Sequence, residues 1–408
     1  MGRIPAWLGW ILLGLLSTSV DAGADPVVIL LSMDGVRHDY PDRGELPSLE
    51  RMARDGVRAA ALVPVFPSST FANHVSLATG THADRHGIVA NRFFDPELGE
   101  FDYGNDASFI EAEPLWVAAE RQGIKAACFF WVGSETDWQG VGASYRRAPF
   151  DSSIGEAEKV RQILEWFDKP AAQRPGLIVS WWHGADKSGH RFGPESDRTT
   201  DQLRQQDSVL GTLLRALDQR DAWAETTLIV VSDHGMAIVT ESLDAGALLR
   251  KAGIGTRVVS AGASALVYLD DPAQTDAAVD ALRGIDGVRA FPSGQVPEGL
   301  RYRHPTRTGH VVVLTDPPRM LSRSSSGLNR WRRISSVFGN TIGTHGYDPK
   351  AHPEMGAIFF AVGRGVPPGA SLGSVRSIDV APTVTRLLGI DPPRHAEGAP
   401  ISSIAPPP

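Results

Sequence analysis

The sequence contains very little cysteine, since Cys128 is the only one among 408 residues. A single thiol cannot form an intramolecular disulfide, and it cannot supply the ligands of a cysteine-based zinc site or of an iron–sulfur cluster. Any metal site in this protein must therefore use histidine and carboxylate ligands.

The sequence also lacks an excess of positive charge. Its 40 lysine and arginine residues are outnumbered by 47 aspartate and glutamate residues, and the net charge of -7 gives no electrostatic footprint for duplex nucleic acid. Because 42% of the residues are hydrophobic and 21% are charged, the body of the chain is neither disordered nor a multi-span membrane protein. At this length we expect one large α/β domain with an insertion, or two domains.

The first 24 residues differ in character from the rest. Arg3 is followed by an apolar run that ends at Leu16, and the small residues Ala22-Gly-Ala24 come next. A basic start, a short apolar core and an A-x-A site are typical of a secretory signal peptide. We therefore expect residues 1–24 to be removed during export to a bacterial periplasm or to the medium, since exported eukaryotic proteins usually have disulfides. An uncleaved anchor in contact with a membrane and a buried helix are the alternatives.

The remaining chain alternates short apolar runs with helical patterns, which predicts a doubly wound, mostly parallel central sheet with helices on both faces. The predicted strands are Val27–Met33, Lys125–Trp131, Leu177–Trp182, Thr227–Ser232 and Ala357–Val362. The predicted helices are Pro47–Asp55, Phe71–Thr79, Pro114–Gln122, Glu156–Phe167 and Thr199–Leu217.

The segment 240–340 interrupts this alternation. It contains one clear helix, Thr275–Arg283, and the strand-like runs Ala265–Leu269, Gly287–Phe291 and His310–Thr315. We interpret it as a small α+β subdomain inserted into an α/β catalytic domain that consists of residues 25–239 and 341–408.

Polar side chains follow three of the predicted strands. Asp34 comes directly after the first, Asp186 lies just beyond Leu177–Trp182, and the pair Asp233-His234 follows the next strand. In a doubly wound sheet, ligands collect beyond the carboxyl ends of the strands. One such carboxylate is usually a helix cap or a turn former, but three of them, two with a histidine nearby, indicate a site.

Two further histidines complete a candidate metal set. His190 stands four residues after Asp186, close enough to share an ion on a helical turn, and His345 lies in the glycine-flanked loop Gly343–Tyr347. Three aspartates and three histidines without cysteine suit Zn²⁺, and with less preference Mn²⁺ or iron. Six ligands fit two ions with open positions better than one closed site, and a pair of ions can stabilise both the attacking and the leaving oxygen in phosphoryl transfer.

Thr70 is the candidate nucleophile. It precedes a helical run, and the positive end of a helix favours an anionic substrate and an alkoxide. The alternative is that Thr70, or Ser69 beside it, is only the N-cap of that helix.

Seven segments carry these residues and their surroundings: Leu31–Arg37, Thr70–His74 with Ala78–Gly80, His86–Asn91, Trp131–Glu135, Asp186–His190, Ser232–Met236 and Thr344–Asp348. Their types, order and approximate spacings resemble the nucleotide pyrophosphatase/phosphodiesterase family of the alkaline phosphatase superfamily, in its bacterial form. The resemblance extends from about residue 27 to residue 400, and it implies an alkaline phosphatase-like fold.

The resemblance also implies a phosphodiesterase or nucleotide pyrophosphatase with two Zn²⁺ ions, acting on nucleotides, dinucleotides or nucleotide-sugar-like molecules. The implied ligands are Asp34, Thr70, Asp233 and His234 for one ion, and Asp186, His190 and His345 for the other. Thr70 would attack phosphorus and form a covalent phospho-threonine, which water would then hydrolyse. Asn91, with the Thr70 N–H, would hold a non-bridging oxygen. The alternative for Asn91 is a loop hydrogen bond.

Two aromatic residues are candidate substrate contacts. Phe71 follows the nucleophile, and Trp181 stands where this family tends to place a ring that stacks on a base, so the two could sandwich a nucleoside. The alternative for Trp181 is an ordinary core position. The chain departs from the family pattern at Ala72, at Gly184-Ala185 and at Lys187, and none of these changes removes a ligand.

Other functions within the superfamily remain alternatives. Phosphomonoesterases that use threonine commonly add a lysine or arginine, and the comparable segment Trp131–Glu135 has no cation, which favours diesters. Phosphonoacetate hydrolases share the metal set and the threonine. A catalytically inactive, secreted binding protein is the third alternative, although such proteins typically lack the nucleophile or a ligand.

Overall fold

A computed structural model of the protein describes residues 25–322 and 342–404. The predicted signal peptide, the last part of the predicted insertion and the last four residues lie outside the described residues. Within the described ranges, no helix is both long enough and apolar enough to cross a membrane.

The strands of the described part are β1 (Val27–Met33), β2 (Val57–Ala59), β3 (Leu62–Val63), β4 (Arg92–Asp95), β5 (Gly99–Asp102), β6 (Ala126–Phe129), β7 (Tyr145–Arg147), β8 (Leu177–Trp182), β9 (Thr226–Val231), β10 (Ala237–Val239), β11 (Glu241–Leu243), β12 (Thr256–Ala261), β13 (Ser264–Leu269), β14 (Val288–Pro292), β15 (Val311–Thr315), β16 (Arg319–Leu321), β17 (Ile342–Thr344), β18 (Phe359–Gly363), β19 (Ala370–Leu372) and β20 (Val375–Arg376). Its α-helices are α1 (Pro47–Asp55), α2 (Thr70–Thr79), α3 (Ala83–His86), α4 (Leu115–Arg121), α5 (Glu156–Phe167), α6 (Gly184–Phe192), α7 (Asp197–Asp218), α8 (Ala245–Lys251), α9 (Thr275–Arg283) and α10 (Val380–Leu388).

An eight-stranded sheet in the order β19-β2-β18-β9-β1-β8-β6-β7 forms the centre of the protein. Strand β1 pairs in parallel with both β8 and β9, whereas β18 is antiparallel to its two neighbours. The predicted fold class is therefore confirmed. The strand predicted over Lys125–Trp131 is shorter than expected, because Phe130 has a φ of +61° and so leaves the extended region after Phe129.

The two faces of the sheet carry separate apolar layers, because successive side chains of a strand point to opposite faces. In β1, Val28 and Leu30 belong to one layer, and Ile29, Leu31 and Met33 belong to the other. Helices α2, α4 and α10 cover the first layer, and helices α1, α5 and α7 cover the second. This burial on both faces explains why the central strands read as unbroken apolar runs.

The middle of the chain forms a second, smaller sheet. Its four antiparallel strands have the order β12-β13-β15-β14, and α8 and α9 pack against it over an apolar cluster of their own. This is the α+β arrangement expected for the insertion. The boundaries at residues 240 and 340 stay a prediction.

A buried cation attaches this smaller unit to the main domain. The Arg307 guanidinium donates to a carboxylate oxygen of Asp95 at 2.6 Å and to the backbone carbonyls of Gly87 and Phe109 at 2.8 and 2.7 Å. The side chains of Arg307 and Asp95 are only 3% and 7% exposed. The ion pair is therefore shielded from water.

We predict that Arg307→Ala destabilises the protein by about 3–5 kcal/mol, because it leaves the Asp95 carboxylate buried without its cation. Denaturation in urea, followed by tryptophan fluorescence, measures the free energy of unfolding. The matched control is Arg283→Ala, which breaks an ion pair to Asp280 whose side chains are 66% and 72% exposed. That change should cost less than about 1 kcal/mol. Equal losses for the two variants would show that the Arg307 pair does not stabilise the attachment.

Candidate metal centre

The predicted ligands meet at one edge of the central sheet. Strands β9, β1 and β8 are neighbours, and their register aligns Met33 with Trp182 and Ser32 with Val231. The residues that follow these strands therefore emerge side by side. Asp34 and Asp233 are fully buried, while Asp186 lies in the first turn of α6 and is partly exposed.

Backbone contacts hold these segments closely together. The Gly35 N–H donates to Oδ1 of Asp233 at 3.1 Å, and the Asp186 N–H donates to the Asp34 carbonyl at 3.0 Å. Gly35 has a φ of +71°, and a Cβ atom there would lie 2.8 Å from the Cα and Cβ atoms of Asp186. Both facts require glycine at this position, directly after the first ligand.

Asp34, Asp233 and His234 form the first ligand group, with ligand atoms within 4.8 Å of one another. His234 Nε2 lies 3.1 Å from Asp233 Oδ2 and 3.6 Å from Asp34 Oδ1. The same Nε2 is 3.2 Å from the hydroxyl oxygen of Thr70. The structure thus brings together all four residues assigned to one ion.

The second group forms around Asp186. Its Oδ1 lies 3.3 Å from His190 Nε2 and 3.8 Å from His345 Nε2. His234 is also within reach of this group, since its ring stacks on that of His345 with centroids 3.7 Å apart. The two groups are therefore adjacent, and His234 lies between them.

All three imidazoles are oriented in the same way. Nδ1 of His190 lies 2.9 Å from the Gly343 carbonyl, Nδ1 of His345 lies 2.9 Å from the Ser68 carbonyl, and Nδ1 of His234 lies 2.8 Å from the Gly235 carbonyl. An N–H on Nδ1 that donates to a carbonyl leaves a lone pair on Nε2, which is the usual state of a metal-binding histidine.

The electrostatics of the site call for a cation. Burial, reinforced by the charges of Asp233 and Asp186, raises the pKa of Asp34 well above its usual range. Burial and the neighbouring His234 and His190 lower the pKa of His345 well below its usual range. Three buried carboxylate oxygens, namely Asp34 Oδ1, Asp186 Oδ1 and Asp233 Oδ2, have no hydrogen-bond partner among the described residues. These oxygen and nitrogen donors fit a divalent metal such as zinc.

Thr70 is the first residue of α2, and Ser69 occupies the N-cap position without a side-chain capping bond. The Thr70 hydroxyl is therefore not used as a cap. The preceding loop is held by Asn73, whose Nδ2 donates to the carbonyls of Val65, Pro67 and Ser69 and whose Oδ1 accepts from the Val65 N–H. The sequence does contain a sign of this role, namely an asparagine within an otherwise largely apolar helix. Asn73 is nevertheless absent from the residues predicted above.

Asn91 lies next to the start of the same helix. Its Oδ1 accepts a hydrogen bond from the Phe71 N–H at 2.9 Å. This bond fixes the orientation of the amide and leaves Nδ2 as its donor. Asn91 can thus present an N–H group beside the N–H of Thr70. The Thr70 N–H has no acceptor within α2, because the first N–H groups of a helix have no partner inside it.

The two aromatic candidates touch, but they do not form a parallel slot. The rings of Phe71 and Trp181 lie 6.5 Å apart at 79°, and Phe150 stacks on Trp181 at 5.0 Å and 23°. Trp181 is 7% exposed, and its Nε1 donates to Oδ2 of Asp34 at 2.9 Å. This hydrogen bond orients the carboxylate of Asp34, a predicted metal ligand. The role of both rings in binding a base stays a prediction.

Two residues that the sequence did not single out support this corner of the site. Phe150 covers the face of Trp181, and the buried Lys159 donates from Nζ to the Trp181 carbonyl at 2.6 Å. Burial lowers the pKa of Lys159 to about 8. The amphipathic pattern of α5 gave no reason to expect a lysine in its buried face. Lys187, which the sequence did flag, is exposed.

Comparisons with known proteins identify the family to which the chain is similar. A family model described as type I phosphodiesterase/nucleotide pyrophosphatase matches residues 28–348. An ectonucleotide pyrophosphatase/phosphodiesterase of Caenorhabditis elegans is 28% identical over 396 residues, and the match covers 94% of this chain but only 49% of that protein. A bis(5'-adenosyl)-triphosphatase of Xenopus laevis is 29% identical over 373 residues, with 90% of this chain and 78% of the relative covered.

Among solved structures, murine ectonucleotide pyrophosphatase/phosphodiesterase 5 is similar over 90% of this chain and 96% of its own, with 26% identity and a TM-score of 0.82. That structure is of an inactive threonine-to-alanine variant in complex with AMP. The present chain thus spans about half the length of the nematode relative but nearly the whole of the solved murine chain. From the family match over most of its length, the chain belongs to the type I phosphodiesterase/nucleotide pyrophosphatase family, within the alkaline phosphatase superfamily.

Proposed function

We propose that this protein is a two-metal hydrolase that cleaves phosphodiester or phosphoanhydride bonds in small nucleotide substrates, with a covalent intermediate on Thr70. The observation that carries the proposal is the position of the Thr70 hydroxyl. It lies at the start of a helix, 3.2 Å from His234 Nε2 and beside both ligand groups. We also propose that the protein acts after export, in the periplasm or outside the cell.

The residues that would hold one ion are Asp34, Thr70, Asp233 and His234, and those for the other are Asp186, His190 and His345. When bound, two zinc ions would supply Lewis-acid stabilisation of negative charge and would lower the pKa of a hydroxyl group that they contact.

The chain itself would position the reacting groups. The Thr70 oxygen would attack phosphorus, and the leaving group would depart on the opposite side. Asn91 Nδ2 and the Thr70 N–H would donate to a non-bridging oxygen, where negative charge develops. Water would then cleave the phospho-threonine and restore the hydroxyl.

A nucleoside would supply binding energy beyond the phosphate. The murine relative in complex with AMP supports a nucleoside monophosphate as the part of the substrate that is recognised. Phe71, adjacent to Thr70, would contact the base. Phe150 stacks on Trp181 and covers it. Trp181 would therefore contact the base only if Phe150 moved aside, and otherwise Phe150 would stack on the base itself.

We predict that the purified protein contains two equivalents of transition metal and that a chelator removes both together with the activity. The three buried, unpartnered carboxylate oxygens give the physical reason, since two ions would satisfy all of them, one at Asp34 and Asp233 and the other at Asp186. Elemental analysis before and after dialysis measures the content. Asp186→Asn should lower the content by about one equivalent, whereas the exposed Asp280→Asn should leave it unchanged. Fewer than two equivalents in the wild type would contradict the proposal.

We predict that Thr70→Ala lowers turnover by several orders of magnitude and leaves the metal content largely intact, because the variant loses the attacking oxygen but keeps six ligands. Steady-state kinetics and elemental analysis on the same preparation test this. Ser69→Ala is the matched control, since it removes the neighbouring buried hydroxyl. Its turnover should stay within about tenfold of the wild type. Unchanged hydrolysis by Thr70→Ala would exclude the covalent route.

We predict that a p-nitrophenyl nucleotide diester is hydrolysed faster than p-nitrophenyl phosphate or phosphonoacetate. The physical reason is that Trp131–Glu135 offers no cation to neutralise the extra charge of a monoester. The measurement is kcat/KM for the three substrates under identical metal loading. A preference for the monoester would favour the phosphomonoesterase alternative, and a preference for phosphonoacetate would favour the phosphonoacetate hydrolase alternative.

A further inference from the structure

Arg37 lies three residues after Asp34 and has an almost completely buried side chain, 8% exposed. A guanidinium cannot lose its charge in a protein, so burying it is unfavourable unless its N–H groups are well paired. The contacts of Arg37 therefore indicate what its burial achieves.

The guanidinium joins three separate segments. Nη1 donates to the Met236 carbonyl at 3.0 Å, Nη2 donates to Oε1 of Glu195 at 2.8 Å, and Nε donates to Oδ1 of Asp39 at 2.7 Å. Met236 stands two residues after His234, and Glu195 stands five residues after His190. Arg37 itself is on the segment of Asp34. Each of the three ligand-bearing strand ends is thus tied to the same planar group.

The surroundings favour arginine over any other cation. The guanidinium carbon lies 5.2 Å from the ring centroid of Tyr40. A Cβ atom on Gly235 would lie 2.2 and 2.6 Å from the carbonyl oxygens of Glu354 and Gly356 and 2.9 Å from Arg37 Cγ, so the glycine after His234 stands where Arg37 and a neighbouring loop pack closely. The five N–H donors of arginine form a rigid fork, whereas the lysine ammonium is a flexible point charge. Lysine could keep the charge here but could not reach the three acceptors in the same geometry.

We propose that Arg37 is a positioning residue that fixes the spacing between the two metal-binding groups, so that both ions are held together. It touches no proposed ligand atom and acts through the segments that carry the ligands. The inference rests on the proposed two-metal centre.

The test compares wild type, Arg37→Lys and the control Arg51→Lys. Arg51 makes a bidentate ion pair with Asp218 on α1 and α7, away from the ligands. Metal-free protein is titrated with Co²⁺, and the visible spectrum and a competing chelator report the affinity and coordination of each equivalent. We expect Arg37→Lys to weaken metal binding by about 10–100-fold and to change the spectrum, as replacement of residues that orient ligands typically does. Arg51→Lys should match the wild type.

Glu195→Gln provides a second variant, which keeps Arg37 and its bonds to Asp39 and the Met236 carbonyl and removes the charge of one partner whose side chain is 45% exposed. It weakens only the link to the Asp186 and His190 segment, so we expect one equivalent to bind less tightly and the other to be unaffected. Wild type that fails to bind two ions would overturn the proposed function. Wild type that binds two ions while Arg37→Lys binds them with the same affinity and spectrum would overturn this inference alone.

Discussion

Three carboxyl groups that repel one another meet at one edge of the sheet, two of them buried and the third partly exposed, and much of the surrounding structure follows from this. Asp34 and Asp233 follow β1 and β9, and Asp186 lies in the first turn of the helix after the adjacent β8, so the order of the strands largely determines how close the three are. Burying ionised carboxylates without partners is unfavourable, and the group either takes up a proton or needs positive charge nearby. The raised pKa of Asp34 expresses this conflict. A bound cation would relieve it, so the proposed metal binding would be linked to folding stability.

The segment 240–322 contacts the stretch of the main domain that contains Asn91. Arg307 contacts Gly87 and Asp95, which flank Asn91, and the hydroxyl of Tyr302 donates to the Val89 carbonyl at 2.7 Å within the same stretch. Oδ1 of Asn91 in turn accepts a hydrogen bond from the N–H of Phe71, the residue after Thr70. A continuous set of contacts therefore leads from the smaller unit to the residue after Thr70, the proposed nucleophile. The position of the Asn91 amide thus depends on residues that lie 212 and 213 positions later in the chain than Asp95 and Val89, which they hold.

The sequence was sufficient for the parts of the site that follow directly from strand order. Asp34, Asp233 and His234 come straight after apolar runs, and the register of β1 and β9 then forces them together. The supporting residues were not predictable in this way. Asn73 and Lys159 are polar residues on buried helix faces, where a hydrophobic pattern predicts apolar side chains, and Arg307 finds Asp95 only because the smaller unit packs where it does. Trp181 was singled out, but its bond to Asp34 depends on the pairing of β1 with β8. Local sequence patterns thus predict which residues belong to the site, whereas long-range packing determines which of their atoms form hydrogen bonds and which remain available to a ligand.

The hydrogen bonds made by the chain determine which atom of each ligand is available before any ion binds. In Asp34, Oδ2 accepts from the Trp181 indole at 2.9 Å, and in Asp233, Oδ1 accepts from the Gly35 N–H at 3.1 Å, while the second oxygen of each has no partner among the described residues. The histidines show the same division, with Nδ1 on a backbone carbonyl and Nε2 facing the site. Side chains that are already oriented lose little conformational freedom when an ion arrives. The entropy cost of ordering the ligands would therefore be carried by folding rather than by metal binding, and this is why a centre built without cysteine ligands, from aspartate, histidine and threonine, can be rigid.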